Sequence, residues 1–526
     1  MHKDQVTRFV DTYAPVKNAC VELRNGRFLD VINGCYFPAQ TKVIIQGDRI
    51  LAMPGLPGEA SNITPDYVID LQGKTVSPGL FNTHCHTSFF ILSLVSNLAQ
   101  TKLAAKYRAQ QIDRNMAECI AHGITTIRDT SNPDLTEYQN LTSRIAKGAI
   151  PGPRIYQSVL VGPWNSYGSL HTTFVTRLIA KAFGLSVVNY ESKNSGSVVF
   201  PLDASETQVR DAVNRAIDER GASFIKIGEQ TFSNQNVNKP LNVMTPAQME
   251  ACTDQARKRN QMTTMHHLTV ESFRRGVKHG VSSLAHLPGD AALTEADVND
   301  FVRSGCIIEP TYSIVGYGLF WRESNKGDLA YDNPDLIKLT EFRNKTWSLL
   351  ADEFYIPEVR ESFKQGLDDL NNGRFKMLGL IDMKPYLRKW LAGDANGIFG
   401  MNNLRMLYEA KARMGCGNDG GAGSMLPSTI KYEMDTIDLL LNNGKPGRRF
   451  SGADALRFAT IDSAAALGVE KDFGSIQTGK VADLAIFDGD PLTDLHLIGS
   501  RVAALFMNGV LKVDNCGLEV AQSRNV

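Results

Sequence analysis

Between residues 17 and 75, short apolar runs rich in valine and isoleucine alternate with turn residues. The runs are "CVELRNGRFLDVI" (20–32), "TKVIIQGDRILAM" (41–53) and "YVIDLQGKTVSPG" (67–79). Asn25-Gly26, Gly47-Asp48 and Gly73-Lys74 punctuate them where turns between strands would fall. A β-rich layer is predicted for this part of the chain.

From about residue 80 the rhythm changes. "GITTIRDT" (123–130) is a short apolar strand ending in charge, and a helix, a Pro/Gly break and another strand follow it. "ASETQVRDAVNRAIDERGASFIKIGEQ" repeats the unit, with Ser205 as a helix cap, Glu206 in the first turn and Gly221 as the stop. "TPAQMEACTDQARKRNQMTTMHH" and "TVESFRRGVKHGVSSLAHL" repeat it again. Helices of about 10–15 residues between short strands indicate βα units around a parallel sheet. Their number favours a (β/α)8 TIM barrel, an α/β fold, over an open doubly wound sheet, which has no glycine-rich phosphate loop here. After residue 465 strand and turn return, in "FGSIQTGKVADLAIFDGDPLTD" and "VAALFMNGVLKVDNC". The expected organisation is therefore residues 1–76 and 465–526 as the two parts of a small β-sandwich. Residues 77–464 form the barrel, with an insertion around 320–400.

Composition narrows the function classes. Lysine plus arginine and aspartate plus glutamate both number 56. No large positive field for nucleic acid follows from that balance. The eight cysteines are scattered without a CxxC pair, so reduced thiols are expected and neither a zinc ribbon nor a disulfide framework is. No stretch reaches the roughly 20 apolar residues of a membrane span, and the N-terminal stretch does not read as a signal peptide. The expected compartment is the cytoplasm, with no membrane partner.

Candidate chemistry gathers at strand ends. His84 and His86 in "FNTHCHTS" point to one face of a strand, with Cys85 on the other. "SFIKI" carries Lys226 in an otherwise apolar run, "TTMHH" ends in His266 and His267, "VSSLAH" ends in His286, and Asp419 precedes a glycine-rich loop. In a barrel, all these ends surround one mouth. A lone strand histidine is usually structural, but this set in this order favours a metal site of imidazole and carboxylate ligands. A buried Lys226 ammonium would be costly, so either its neutral amine becomes a bridging carbamate or it snorkels to solvent. Arg128 and Asp129 are expected to form an internal structural pair.

On these residues the chain resembles the metal-dependent amidohydrolase superfamily, most of all its Xaa-Pro and Xaa-Arg dipeptidase and ochratoxin-amidase subgroup. "PGLFNTHCH", "GITTIRD", the "GPR" at 152–154, "GASFIKI", "HHLT…GVSSLAH", "GNDGG" and the closing "ALRFATIDSAAALGVEKDFGSIQTGKVADLAIFDGDP" carry the likeness across almost the whole chain. The resemblance implies two divalent metal ions, with zinc expected. His84, His86 and Asp419 would hold one and His266 and His286 the other, while carboxylated Lys226 and a hydroxide bridge them. It implies hydrolysis of an amide or dipeptide by that hydroxide, with Asp419, Lys226 and His286 as catalytic residues. His171 in "YGSLHTTF" and Tyr312 in "EPTYS" are the expected substrate contacts. Leu268 replaces the family's second histidine. Thr269 stands where deaminases and imidazolone-ring hydrolases carry glutamate, which turns the reading away from both classes. Lactone or cyclic-amide hydrolysis on the same scaffold is the enzymatic alternative, and a nonenzymatic barrel scaffold the other. The insertion is expected either to cap the pocket or to join subunits of a homo-oligomer.

Overall fold

The computed structural model describes residues 7–10, 19–59, 62–87, 98–132, 134–167, 192–232, 238–314, 334–371, 376–377, 381–382, 396–421, 425–442 and 447–523. Its centre is a parallel barrel. The strands Leu80–Cys85, Ile124–Asp129, Arg154–Pro163, Phe224–Gly228, Met262–His266, Ser283–Ala285 and Ile307–Glu309 pair in chain order. A short strand, Ser197–Phe200, pairs with the far end of the third. Residues 414–420 close the ring. Ile308 bridges Met414, Cys85 bridges Gly420, and Thr83 and His86 donate backbone bonds to Cys416 and Gly420.

The helices between strands start where their sequences carry caps. Ser205, Thr245, Thr269 and Thr294 each make reciprocal capping bonds with the residue three positions on. Such a cap contributes on the order of 1 kcal/mol. Gly221 follows the helix that Ser205 opens and takes φ 67°, a left-handed conformation that glycine enters without a Cβ clash. The barrel strands are buried on both faces, which is why they read as apolar runs instead of alternating ones.

Two sheets from the chain's ends form the sandwich. Tyr67–Asp70, Cys20–Arg24, Val43–Gln46 and Arg49–Ala52 share one sheet with Val520–Gln522. Thr75–Pro78 pairs antiparallel with Leu484–Phe487 in the other. Val21, Leu23, Ile45, Ile69, Val76, Ile486 and Phe506 meet in one core. Fully burying each such aliphatic or aromatic side chain contributes about 1.5–3 kcal/mol. The first barrel strand leaves the sandwich directly, so the sandwich anchors the strand that carries His84.

Part of the insertion belongs to the outer helical layer. Helices Pro334–Phe354 and Pro357–Asn371 pack on helix Leu98–Ala121. Gln111 donates to the Phe354 carbonyl at 3.0 Å and accepts from the Ile356 amide at 2.9 Å. Tyr355 and Phe363 stack beneath that corner. Among the described residues, no helix is long and apolar enough to cross a membrane.

Candidate metal centre

The first barrel strand turns His84 and His86 to the same side, as its period of two requires. Both meet Asp419, from the segment that closes the barrel. Its Oδ1 lies 3.4 Å from His84 Nε2 and 3.0 Å from His86 Nε2. The fit depends on two glycines. A Cβ on Gly417 would stand 2.5 Å from His84 Cβ, and one on Gly421 would stand 2.2 Å from the His86 carbonyl oxygen. Burial alone would raise the Asp419 carboxyl, but the facing His84 and His86 side chains hold it well below the usual range.

His266 and His286 stand on the fifth strand and just past the sixth. The His266 Nδ1 and the His286 Nε2 are 2.9 Å apart. Their outer nitrogens decide the tautomers. His286 Nδ1 lies 2.6 Å from Thr311 Oγ1, whose own proton goes to the Pro310 carbonyl, so the imidazole donates there. His266 Nε2 lies 3.0 Å from Gln230 Oε1, and the Gln230 amide is oriented by donating from Nε2 to the Phe232 carbonyl. The two inner nitrogens therefore meet as lone pairs. Burial keeps both rings neutral, holding their pKa values well below that of an ordinary histidine.

His84 joins the two groups, its ring centroid 5.2 Å from that of His286. Lys226, 4% exposed, stands among them on the fourth strand. Burial first and the Arg128 charge second push its pKa down to about 7, against the pull of Glu309 and Asp419. A neutral amine is therefore accessible near neutral pH. His286 and Asp419 also adopt left-handed backbone, at φ 74° and 52°. Such a conformation costs roughly 1–3 kcal/mol for a residue like His286, and is held only by a surround that over-determines it.

The donor set fits metal cations. His86 gives its Nδ1 proton to the Ser131 carbonyl at 3.1 Å, so Nε2 at 3.0 Å from Asp419 needs either a second proton or a shared cation. The facing lone pairs of His266 and His286 make the same demand. Neutral imidazoles and an ionised carboxylate suit zinc and similar divalent ions.

One sequence expectation is overturned. Arg128 does not pair with Asp129. Its guanidinium binds both oxygens of Glu309 at 2.5 Å, while Asp129 accepts from Thr87 and Asn132. Neighbours on a strand face opposite ways, so the two side chains never meet. Cys85 is fully buried in the core on the outward face. His267 packs against Phe273, and burial drives its pKa to about 3. Thr269 is spent as a helix cap. Tyr312 is 2% exposed within the apolar core, its hydroxyl 3.1 Å from where a Gly400 Cβ would stand. His171 lies outside the described residues. Glu309, Gln230 and Thr311 were missed. An acid inside the apolar run "CIIEPT" was the available signal for Glu309, the same signal that singled out Lys226. Gln230 and Thr311 carry none.

Comparison with known proteins supplies the family. The Amidohydrolase family model matches residues 75–314 and 395–512. A stretch of 62 residues is 44% identical to an imidazolonepropionase of Sphingopyxis alaskensis, but spans only 12% of this chain and 15% of that protein. A solved Xaa-Pro dipeptidase with bound methionine superposes with TM-score 0.59 at 20% identity, over 94% of this chain and all of the other. The A. niger ochratoxinase does so with TM-score 0.57 at 13% identity, over 94% and 96%. At these identities the likeness to solved structures is one of fold.

Proposed function

Because the chain belongs to the Amidohydrolase family, we propose that it is a metal-dependent hydrolase of amide bonds, with an N-acyl amino acid or a dipeptide as substrate. The observation that carries the reading is the pair of converging donor groups at one barrel mouth. Three ligand atoms of His84, His86 and Asp419 lie within 4.8 Å of one another, and His266 faces His286 beside them.

His84, His86 and Asp419 would hold one divalent ion, and His266 and His286 a second. Zinc is the expected ion at both places. Lys226, as its carbamate, would supply anionic oxygen to the two. Bound there, the ions supply Lewis-acid polarisation of a substrate carbonyl and a water acidic enough to attack near neutral pH.

The chain's residues handle protons and orientation. Asp419, held ionised at the rim of the cluster, takes the proton of the attacking water on a carboxylate oxygen and passes it to the departing nitrogen. Neutral Lys226 is the form that combines with carbon dioxide, its nitrogen forming the new bond and losing a proton to solvent. His171 is the proposed contact for a substrate carboxylate or carbonyl. Thr269, committed to its cap, has no acid to offer a ring-nitrogen substrate, and this supports a peptide-like amide over a deaminase substrate.

The test is a panel of N-acyl amino acids, dipeptides and matched lactones, given to the full chain supplied with zinc and bicarbonate. Amine release that stops on chelation and returns with zinc is the expected result. Amide turnover indifferent to chelation, or turnover of lactones alone, overturns the reading.

A further inference from the structure

Beneath the histidine cluster, the barrel interior holds a charged pair that the reaction above does not use. Arg128 on the second strand and Glu309 on the seventh are each 0% exposed. Arg128 Nη2 reaches both Glu309 carboxylate oxygens, Nη1 reaches Ser283 Oγ at 3.3 Å, and Nη2 also meets Thr264 Oγ1 at 3.2 Å. The guanidinium lies 5.0 Å over the Phe224 ring. Strands two, four, five, six and seven thus converge on one cation. A buried pair of this kind is weak support for stability, because desolvating two charges offsets most of their attraction. Its position suggests another use.

Glu309 touches both halves of the cluster. Its carbonyl accepts from the His286 amide at 2.8 Å. Its Oε2 lies 3.5 Å from His84 Nδ1, a buried nitrogen with no hydrogen-bond partner at bonding distance. The opposite nitrogen, Nε2, faces Asp419. The other three histidines each have an outer nitrogen matched to an acceptor: Ser131 O, Gln230 Oε1 and Thr311 Oγ1. On His84, Glu309 stands in that place.

We propose that Glu309, aimed by Arg128, is the positioning residue of His84: it takes the Nδ1 proton as a hydrogen bond and so keeps Nε2 bare toward Asp419. A carboxylate has only acceptors, so it admits one imidazole tautomer. Arg128 holds the carboxylate in a fixed plane by a charge-assisted bond to each oxygen. The consequence for metal binding rests on reading His84 as a ligand, whereas the tautomer itself does not.

Glu309→Gln separates this role from packing. The guanidinium would take the amide oxygen, turning the NH2 toward His84 and moving the imidazole proton to Nε2. Two readouts follow on the full chain: the His84 tautomer by 15N NMR of the metal-free protein, assigned with His84→Gln, and zinc affinity by titration. The expected result is an Nδ1-H tautomer in the parent that is lost in E309Q, with zinc affinity at one of the sites weaker by about tenfold or more. Where E309Q fails to fold, the neutral pair Arg128→Met with Glu309→Leu removes both charges together and is measured in the same way. An unchanged tautomer in a folded variant overturns the proposal. A lost tautomer with unchanged zinc affinity keeps the positioning role and removes His84 from the metal site instead.

Discussion

His286 Nε2 faces His266 Nδ1 across 2.9 Å, and each ring has its other nitrogen turned to a partner, Thr311 and Gln230. Two bare lone pairs at that distance repel unless a cation lies between them. A divalent ion held by both rings would remove that repulsion.

The first prediction follows from that relation. Zinc should raise the thermal midpoint of the protein, by an amount equivalent to about 2.7 kcal/mol at a hundredfold excess over Kd. His286→Ala should lose most of this gain while its metal-free stability falls little, because a repulsive contact leaves with the ring. Calorimetry with and without zinc reads both quantities. An equal zinc shift in parent and variant would remove His286 from the ligand set.

Asp419→Asn keeps the side chain's shape and removes both its charge and its proton acceptance. The variant should fold, bind zinc less tightly and lose roughly a hundredfold or more of amide turnover at saturating zinc. Steady-state kinetics on the best substrate of the panel check this. Near-parental kcat would take Asp419 out of proton transfer.

Gly417→Ala places a methyl 2.5 Å from His84 Cβ, where His84 must shift. Overpacking of this kind costs about 1–3 kcal/mol. The expected outcome is a folded protein with a lowered thermal midpoint and weakened zinc uptake. Uptake equal to that of the parent would show that His84 tolerates displacement.

Away from the site, Asp297 caps its own helix turn and accepts from Arg274 Nε at 2.7 Å and Nη2 at 2.9 Å. The Arg274 bond holds its carboxyl below the ordinary 3.8. A lowered folded pKa means that the unfolded chain binds the proton first as pH falls. The stabilisation is thus fully present above about pH 4 and disappears as pH drops through the folded value. Asp297→Asn should destabilise at pH 6 and converge with the parent in acid. A constant gap between the two in pH-dependent urea unfolding would exclude the ion pair as its source. Arg274 is half exposed, so solvent screening keeps the effect modest.

Glu309→Gln, argued above through the His84 tautomer, is the one substitution in this set that tests the layer beneath the ligands. Its outcome bears on why Arg128 lies in the barrel interior, where an unpaired cation would be strongly destabilising.

Much of this architecture was readable along the chain. Caps such as Ser205 and Thr245, the stop at Gly221 and the apolar strand runs are local features, set within a few residues by backbone sterics and hydrogen bonding. The βα rhythm, the strand-end positions of His84, His86, His266 and His286, and the split of the sandwich between the two ends followed from them. Lys226 was noticed because a lysine in an apolar strand violates the local rule.

Tertiary structure alone decided which side chains meet. Arg128 found Glu309, 181 residues away, in place of adjacent Asp129. Gln230 and Thr311 became the partners of His266 and His286, and the insertion's described helices docked on the barrel wall. Closing a barrel brings distant strands side by side, and partner choice then depends on inward direction, depth and the left-handed turns at His286 and Asp419. Periodicity sets the face a residue takes. Which residue waits across that face is a property of the closed ring, because the burial energy that selects it exists only once all the strands are in place.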